Sequence, residues 1–256
     1  MGLSDQFLDE RIVAAGAAHP ALPLFHCFEA IYIQRILDSM QLKPRLCNVY
    51  HEELLYLFYG KPSYKSANDN SNPGYLSPVC FMINWNAVPS IKRALAFDSG
   101  AFDRYDGFFH KSMGREEFQL NPNIDAIRKI IDFFYYSNTR YFKGQARQEL
   151  PPYDQVHYQV EGYHSLITSS RESTTDDRRA TIEIQLDYPI DITSDNIDAI
   201  VLPEHLDKSP TVRRILDGLS IPTLSYSDFG VASRNYYVHL LDKVQKLMID
   251  KKLLNA

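Results

Sequence analysis

A chain of 256 residues, 45% hydrophobic and 23% charged, has the composition of a globular protein able to bury a sizeable core. Its formal net charge of −5 excludes nucleic-acid binding driven by an overall basic field and leaves room only for a local basic groove. Three widely spaced cysteines, Cys27, Cys47 and Cys80, form no CxxC pair, which argues against a disulfide framework or a thiolate zinc site and fits a reducing cytoplasm.

In chain order, residues 4–18 read as a short amphipathic helix with Ser4 as N-cap and Phe7, Leu8, Ile12 and Val13 as its apolar stripe, ended by His19-Pro20. Asp5, Asp9, Glu10 and Arg11 interrupt what a signal peptide would keep apolar, and no apolar run reaches the ~20 residues of a membrane span, so no membrane partner is expected. Residues 22–28 read as a first buried strand carrying one polar residue, His26, and 29–40 as a helix. Residues 54–59 are a second strand running into the turn Gly60-Lys61-Pro62, with a surface loop at 67–74. Further strands are expected at 78–83 and 93–100, and a helix at 124–136 opened by Asn121-Pro122.

Residues 138–177 lack periodicity and read as a long insertion of the kind that is usually functional or mobile. Thr181-Ile182-Glu183-Ile184-Gln185-Leu186 then alternates, placing the aliphatic residues on one face and Thr181, Glu183 and Gln185 on the other, as in a half-buried strand. Glu is depleted from strands, so Glu183 is either a solvated outer-face residue or the floor of a site. Residues 197–202 read as the final core strand, 210–219 as a short helix, and 233–254 as a C-terminal helix with a broad apolar stripe including Tyr237 and Leu241.

One polar residue per apolar strand, in this order, resembles the ADP-ribosyltransferase fold over about residues 22–202, and more closely its DarT-like branch, which modifies nucleic acid. The pieces carrying the resemblance are Leu24-Phe25-His26, the strand at 54–59 with its basic turn, Ala96-Phe97-Asp98-Ser99-Gly100-Ala101, and Ala180-Thr181-Ile182-Glu183-Ile184 followed by Pro189. Phe28 stands where that pattern has Thr, and Lys61 or Lys65 where it often has Arg, a departure because an ammonium is not a planar fork. The resemblance implies a single α+β domain with a split mixed sheet and flanking helices, and NAD as substrate. Glu183 would be the catalytic carboxylate, stabilising an oxocarbenium-like ribose. His26 with Tyr56 or Tyr59 would wall the ribose and nicotinamide, Lys61 and Lys65 would meet the pyrophosphate, and Asp98 would belong to the cofactor cleft.

It further implies a cytoplasmic bacterial toxin or antiviral defence effector acting on a nucleic-acid or protein acceptor, with an antitoxin or complex partner, or an NAD glycohydrolase using the same residues. A reading of another class is a non-catalytic module of a multi-protein defence complex, making contacts through residues 138–177 and the helix from Tyr237 to Leu254, with Tyr237 and Leu241 as the residues to test. Arg115-Glu116-Glu117 ranks second as a carboxylate site and reads as a charged surface connection. His110, His157 and His164 lack metal-ligand spacing, and neither GxGxxG nor GxxxxGK[ST] occurs.

Overall fold

Short apolar segments separated by turn residues build a mixed α+β molecule in the computed structural model, which describes residues 7–12, 19–64, 74–105, 107–169, 177–228 and 235–255. The strands are β1 (Leu24–Glu29), β2 (Gln41–Leu42), β3 (Arg45–Leu46), β4 (Glu53–Tyr59), β5 (Pro78–Ile83), β6 (Arg93–Leu95), β7 (Gln119–Leu120), β8 (Glu183–Leu186), β9 (Ile190–Asp191), β10 (Ile197–Pro203) and β11 (Thr223–Tyr226). The helices are α1 (Ile33–Ser39), α2 (Ile124–Tyr135), α3 (Asn138–Phe142), α4 (Tyr158–Thr168), α5 (Glu204–Asp207), α6 (Pro210–Leu219) and α7 (Tyr236–Asp250). The main sheet runs β11-β10-β5-β1-β4-β8-β6-β7, and β3 pairs with the start of β4. β10 and β11 are parallel, and the other neighbours along this path are antiparallel.

The sheet divides at its middle. β1 pairs with β5 along its whole length, from Leu24↔Ile83 to Glu29↔Pro78, but with β4 only at Leu24↔Tyr59 and Phe25↔Phe58. Past these two pairs the strands part, and the His26 ring spans the gap, its Nδ1–H donating to the Tyr56 carbonyl at 2.8 Å. Gly60 ends β4 at φ +71°, where a Cβ would come within 2.5 Å of Leu22 Cδ1, so both the left-handed backbone and the close approach require glycine.

The segment 138–177 is not a structureless insertion. α3 and α4 pack Tyr141, Phe142, Val160, Tyr163, Leu166 and Ile167 into the core. Tyr163 joins an aromatic cluster around Phe97 that includes Phe109 and Phe118, and donates its hydroxyl to the Ala96 carbonyl at 3.0 Å. Tyr141 bonds two backbones at once, donating to the Tyr59 carbonyl at 2.8 Å and accepting from the Ile182 amide at 3.0 Å.

Other boundaries differ for local reasons. The strand expected over 93–100 ends at Leu95, because Asp98 caps a 3-10 helix, Ser99–Arg104, by accepting from the Gly100 amide. The helix expected from residue 29 opens as a 3-10 turn, Ala30–Tyr32, before α1. β10 is not the last strand, since the short β11 extends the sheet by parallel pairing. Residues 7–12 hold only a 3-10 turn, Leu8–Glu10; Ser4 and Val13 lie outside the described residues, as do 65–73, most of the polar run at 168–177, and the expected start of the C-terminal helix. Among the described residues no helix is long and apolar enough to cross a membrane.

Candidate functional site

β8 is buried on both faces: Thr181, Glu183 and Gln185 are at most 1% exposed, so the expected wetted face does not exist. Phe58 on β4 and Leu95 on β6 flank Glu183, and Ser99 of the 3-10 helix covers it. Ser99 donates its hydroxyl to Glu183 Oε1 at 2.8 Å and its amide to Oε2 at 3.1 Å, and Gln185 Nε2 donates to Oε1 at 2.6 Å. Burial, reinforced by the nearby Asp98 charge, outweighs these bonds and pushes the carboxyl up to about 8. Burial thus favours the protonated form of this group, and a positive charge brought close would favour the ionised one.

The network extends outward in a chain. Arg93 Nη1 donates to Gln185 Oε1 and its Nη2 to Glu52 Oε1 at 2.8 Å, while Lys92 pairs with the other Glu52 oxygen. The Arg93 guanidinium lies 4.1 Å from the centre of the Tyr50 ring. The Tyr50 hydroxyl is shielded from solvent beside Ser99 and Gln185, and burial and then the Glu183 charge raise its pKa. A shielded hydroxyl and a perturbed carboxyl side by side are the kind of arrangement that functional sites show.

A groove of about 420 Å³ opens where β1 and β4 part, within the size range of small-molecule sites. His26 and Phe28 line it from β1, Tyr56 from β4, Arg35 from α1, Lys43 from the β2–β3 connection and Arg45 from β3; among the described residues no Asp or Glu lines it. Desolvation holds His26 down to about 4, so the ring is neutral and its Nδ1–H is committed to Tyr56. Tyr56 joins the two regions: it sits opposite Gln185 in the ladder, and its hydroxyl donates to Cys47 Sγ at 2.6 Å. Burial first, then Cys47 and Glu183, raise its pKa strongly.

Of the expected residues, His26 and Tyr56 line the groove, while Glu183, with Asp98 near it, lies outside that lining and is linked to it by the charge that Tyr56 feels. The structure places the other expected residues elsewhere. Tyr59 is fully buried, accepts from the Leu22 amide at 2.9 Å and packs on Trp85 and Tyr141, which makes it a core residue. Lys61 is not a solvated turn residue: it is fully buried, with its ammonium 5.4 Å from the Tyr141 ring centre. Lys65 lies outside the described residues. Arg115–Phe118 is a 3-10 turn in which Glu117 binds Arg11 and Gln159, and Arg115 Nε donates to the Ser99 carbonyl. Tyr237 is also buried, donating to the Pro62 carbonyl at 2.8 Å, so it offers no contact surface for a partner.

Sequence reading missed Tyr50, Arg93 and the basic trio Arg35, Lys43 and Arg45, which come from a turn, a strand start and a helix–strand connection with no distinctive spacing. Ser99 and Gln185 carried a signal, the alternation of β8 and the Asp-Ser-Gly turn, that pointed to the right place without the role. Among the described residues no three His, Cys, Asp or Glu side chains gather as a metal site. No protein-family model matches the chain, and no curated protein is similar to it.

Proposed function

We propose that this protein transfers ADP-ribose from NAD to a nucleic-acid or protein acceptor, with Glu183 as the catalytic carboxylate. The observation that carries the reading is a basic groove at the sheet split, joined through Tyr56 to a buried carboxyl whose ionisation is poised near 8. Arg35, Lys43 and Arg45 offer the pyrophosphate the positive charge first sought at Lys61 and Lys65, and two of the three are guanidiniums suited to bidentate contact. His26 and Phe28, their rings tilted 36° to one another, provide an aromatic wall for the attached ring systems.

The chemistry follows from the carboxyl's environment. Loss of nicotinamide leaves an oxocarbenium-like ribose, and a cation beside Glu183 in a dry site favours the ionised carboxylate that burial alone disfavours. Ser99 and Gln185 fix that carboxylate in place, so little reorganisation is needed as charge develops. With Glu183 only 1% exposed, a ribose reaches it only after the cover over the carboxyl opens, a gating step ahead of chemistry. NAD hydrolysis would use the same residues with water as acceptor.

The test is nicotinamide release from NAD by wild type and Glu183→Gln, with and without single-stranded DNA, RNA or protein. Loss of about a hundredfold or more in the variant, with its folding unchanged, is the expected result. Stimulation by one acceptor identifies its class. Absence of NAD binding and of release from folded wild type would remove the proposal and leave a non-catalytic module as the reading.

A further inference from the structure

Two of the three cysteines, 53 positions apart in sequence, face each other across a ladder: Cys27 on β1 is the register partner of Cys80 on β5. Antiparallel pairs alternate between those that exchange backbone hydrogen bonds and those that do not, and only the second kind bring side chains close. The phase is readable here. The Ala30 amide donates to the Ser77 carbonyl at 2.8 Å, continuing the same register, which makes 30/77 a bonded pair. The next pair, Glu29↔Pro78, is then non-bonded, in agreement with Pro78 having no N–H to give. Counting on, Phe28↔Val79 is bonded and Cys27↔Cys80 is non-bonded.

Non-bonded pairs hold their Cα atoms about 4.5 Å apart, within the span a disulfide bridges, whereas bonded pairs point their side chains less directly at one another. The two thiols are close enough that Cys27 adds to burial in raising the Cys80 pKa. Access is unequal: Cys27 is half-buried and lines the groove, whereas Cys80 is fully buried. Cys47 is engaged elsewhere, accepting from the Tyr56 hydroxyl and the Val49 amide.

We propose that Cys27 and Cys80 are an oxidative modification site, closing to a reversible disulfide when a peroxide reaches the groove. Cys27, as thiolate, attacks one peroxide oxygen; the O–O bond breaks, Cys27 becomes the sulfenic acid, and the other oxygen leaves as water after protonation. The Cys80 thiol, losing its proton, then attacks the Cys27 sulfur and expels the hydroxyl as a second water. Two thiols are oxidised by two electrons and one peroxide is reduced to two waters. Attack of a small thiol on the half-buried Cys27 sulfur would open the bond by thiol–disulfide exchange and restore both thiols. The disulfide would tie β1 to β5 one residue from His26, at the wall of the candidate groove. The site does not depend on the proposed transferase reaction.

The experiment is intact-protein and peptide mass spectrometry of the full chain after graded hydrogen peroxide, with alkylation of remaining thiols. Wild type and Cys47→Ala are expected to lose two hydrogens, yield a linked peptide pair containing Cys27 and Cys80, and recover both thiols with dithiothreitol. Cys27→Ala and Cys80→Ala are expected to form no intramolecular link, and Cys80→Ala to accumulate oxygen at Cys27. Thermal melting of each variant checks folding. A wild type that gains only oxygen atoms, links through Cys47, or forms an intermolecular disulfide instead would overturn the proposal.

Discussion

Two stretches of the same strand pair handle buried polar groups in opposite ways. At one end of β4 and β8, Tyr59 and Tyr141 spend their hydroxyls on backbone: Tyr59 on the Leu22 amide, Tyr141 on the Tyr59 carbonyl and the Ile182 amide. These hydroxyls are matched to fixed partners, and burial pushes Tyr59 up to about 12. One residue beyond Ile182, Glu183 accepts three hydrogen bonds and remains strongly perturbed, and burial and the Glu183 charge raise the Tyr50 hydroxyl beside it. The first region is built to be finished and the second is left in tension. A site capable of chemistry is expected to show the second pattern, because a ligand can then satisfy what the resting fold does not.

The sharpest way to break the comparison is to unmake the finished end. Tyr141→Phe removes two hydrogen bonds and strands a buried amide and carbonyl, so unfolding by denaturant is expected to show a loss of about 3 kcal/mol. A loss below about 1 kcal/mol would mean that solvent or rearrangement satisfies those groups and that the clamp is not structural.

The unfinished end should appear in the pH dependence of stability. Glu183 has a folded pKa near 8 against 4.5 for an unperturbed carboxyl, so the folded chain holds a proton that the unfolded chain releases. Its contribution is therefore complete below about 4.5 and is lost as pH rises through about 8, with a slope of at most about 1.4 kcal/mol per pH unit. His26 works in the other direction. Its folded pKa near 4 lies below the ordinary 6.5, so its contribution is complete above about 6.5 and is lost as pH falls through about 4. Chemical unfolding from pH 4 to 9 is expected to show maximal stability between these limbs, with Glu183→Gln flattening the alkaline limb and His26→Gln the acid limb. An alkaline limb unchanged in Glu183→Gln would show that the perturbation belongs to another group.

The smallest effect calibrates the others. Tyr188 makes the same kind of bond as Tyr141, hydroxyl to the Ser90 carbonyl at 2.7 Å, but at the surface. Tyr188→Phe is expected to cost about 0.5 kcal/mol in the same unfolding assay, because water replaces the lost partner. A cost equal to that of Tyr141→Phe would show that burial is not what separates the two.

The contrast also explains what could be read from the sequence. β1, β4, β5 and β10 were legible because continuous apolar runs bounded by turn residues have few alternatives, and α2 and α6 because their apolar faces keep helical spacing. α4 was not, because Gly162 and the polar Gln159, Glu161 and His164 interrupt its pattern, and its anchors Tyr163 and Leu166 act through distant strands. The alternation of β8 gave the correct strand and the wrong surroundings, since periodicity reports which residues share a face and not what covers it. Glu183 and His26 stood out as polar residues in apolar strands. Tyr59 and Lys61 stood out equally, and only three-dimensional packing separates groups that finish the fold from groups that leave it open.

The sheet order has a consequence for how the chain is made. β5 lies between β1 and β10, so one edge is covered early by a strand some 50 residues upstream, while the other waits for a strand more than 100 residues downstream. Its sequence, Pro78-Val79-Cys80-Phe81-Met82-Ile83, is uncharged and fully buried in the finished fold. On the ribosome, a partly synthesised chain therefore carries an unprotected apolar edge for as long as residues 84–197 take to emerge, several seconds or more at roughly 5–20 residues per second. In this topology β5 is sealed late, with only the edge strand β11 still to follow, and the nascent chain is most prone to mispairing where the mature protein is best protected.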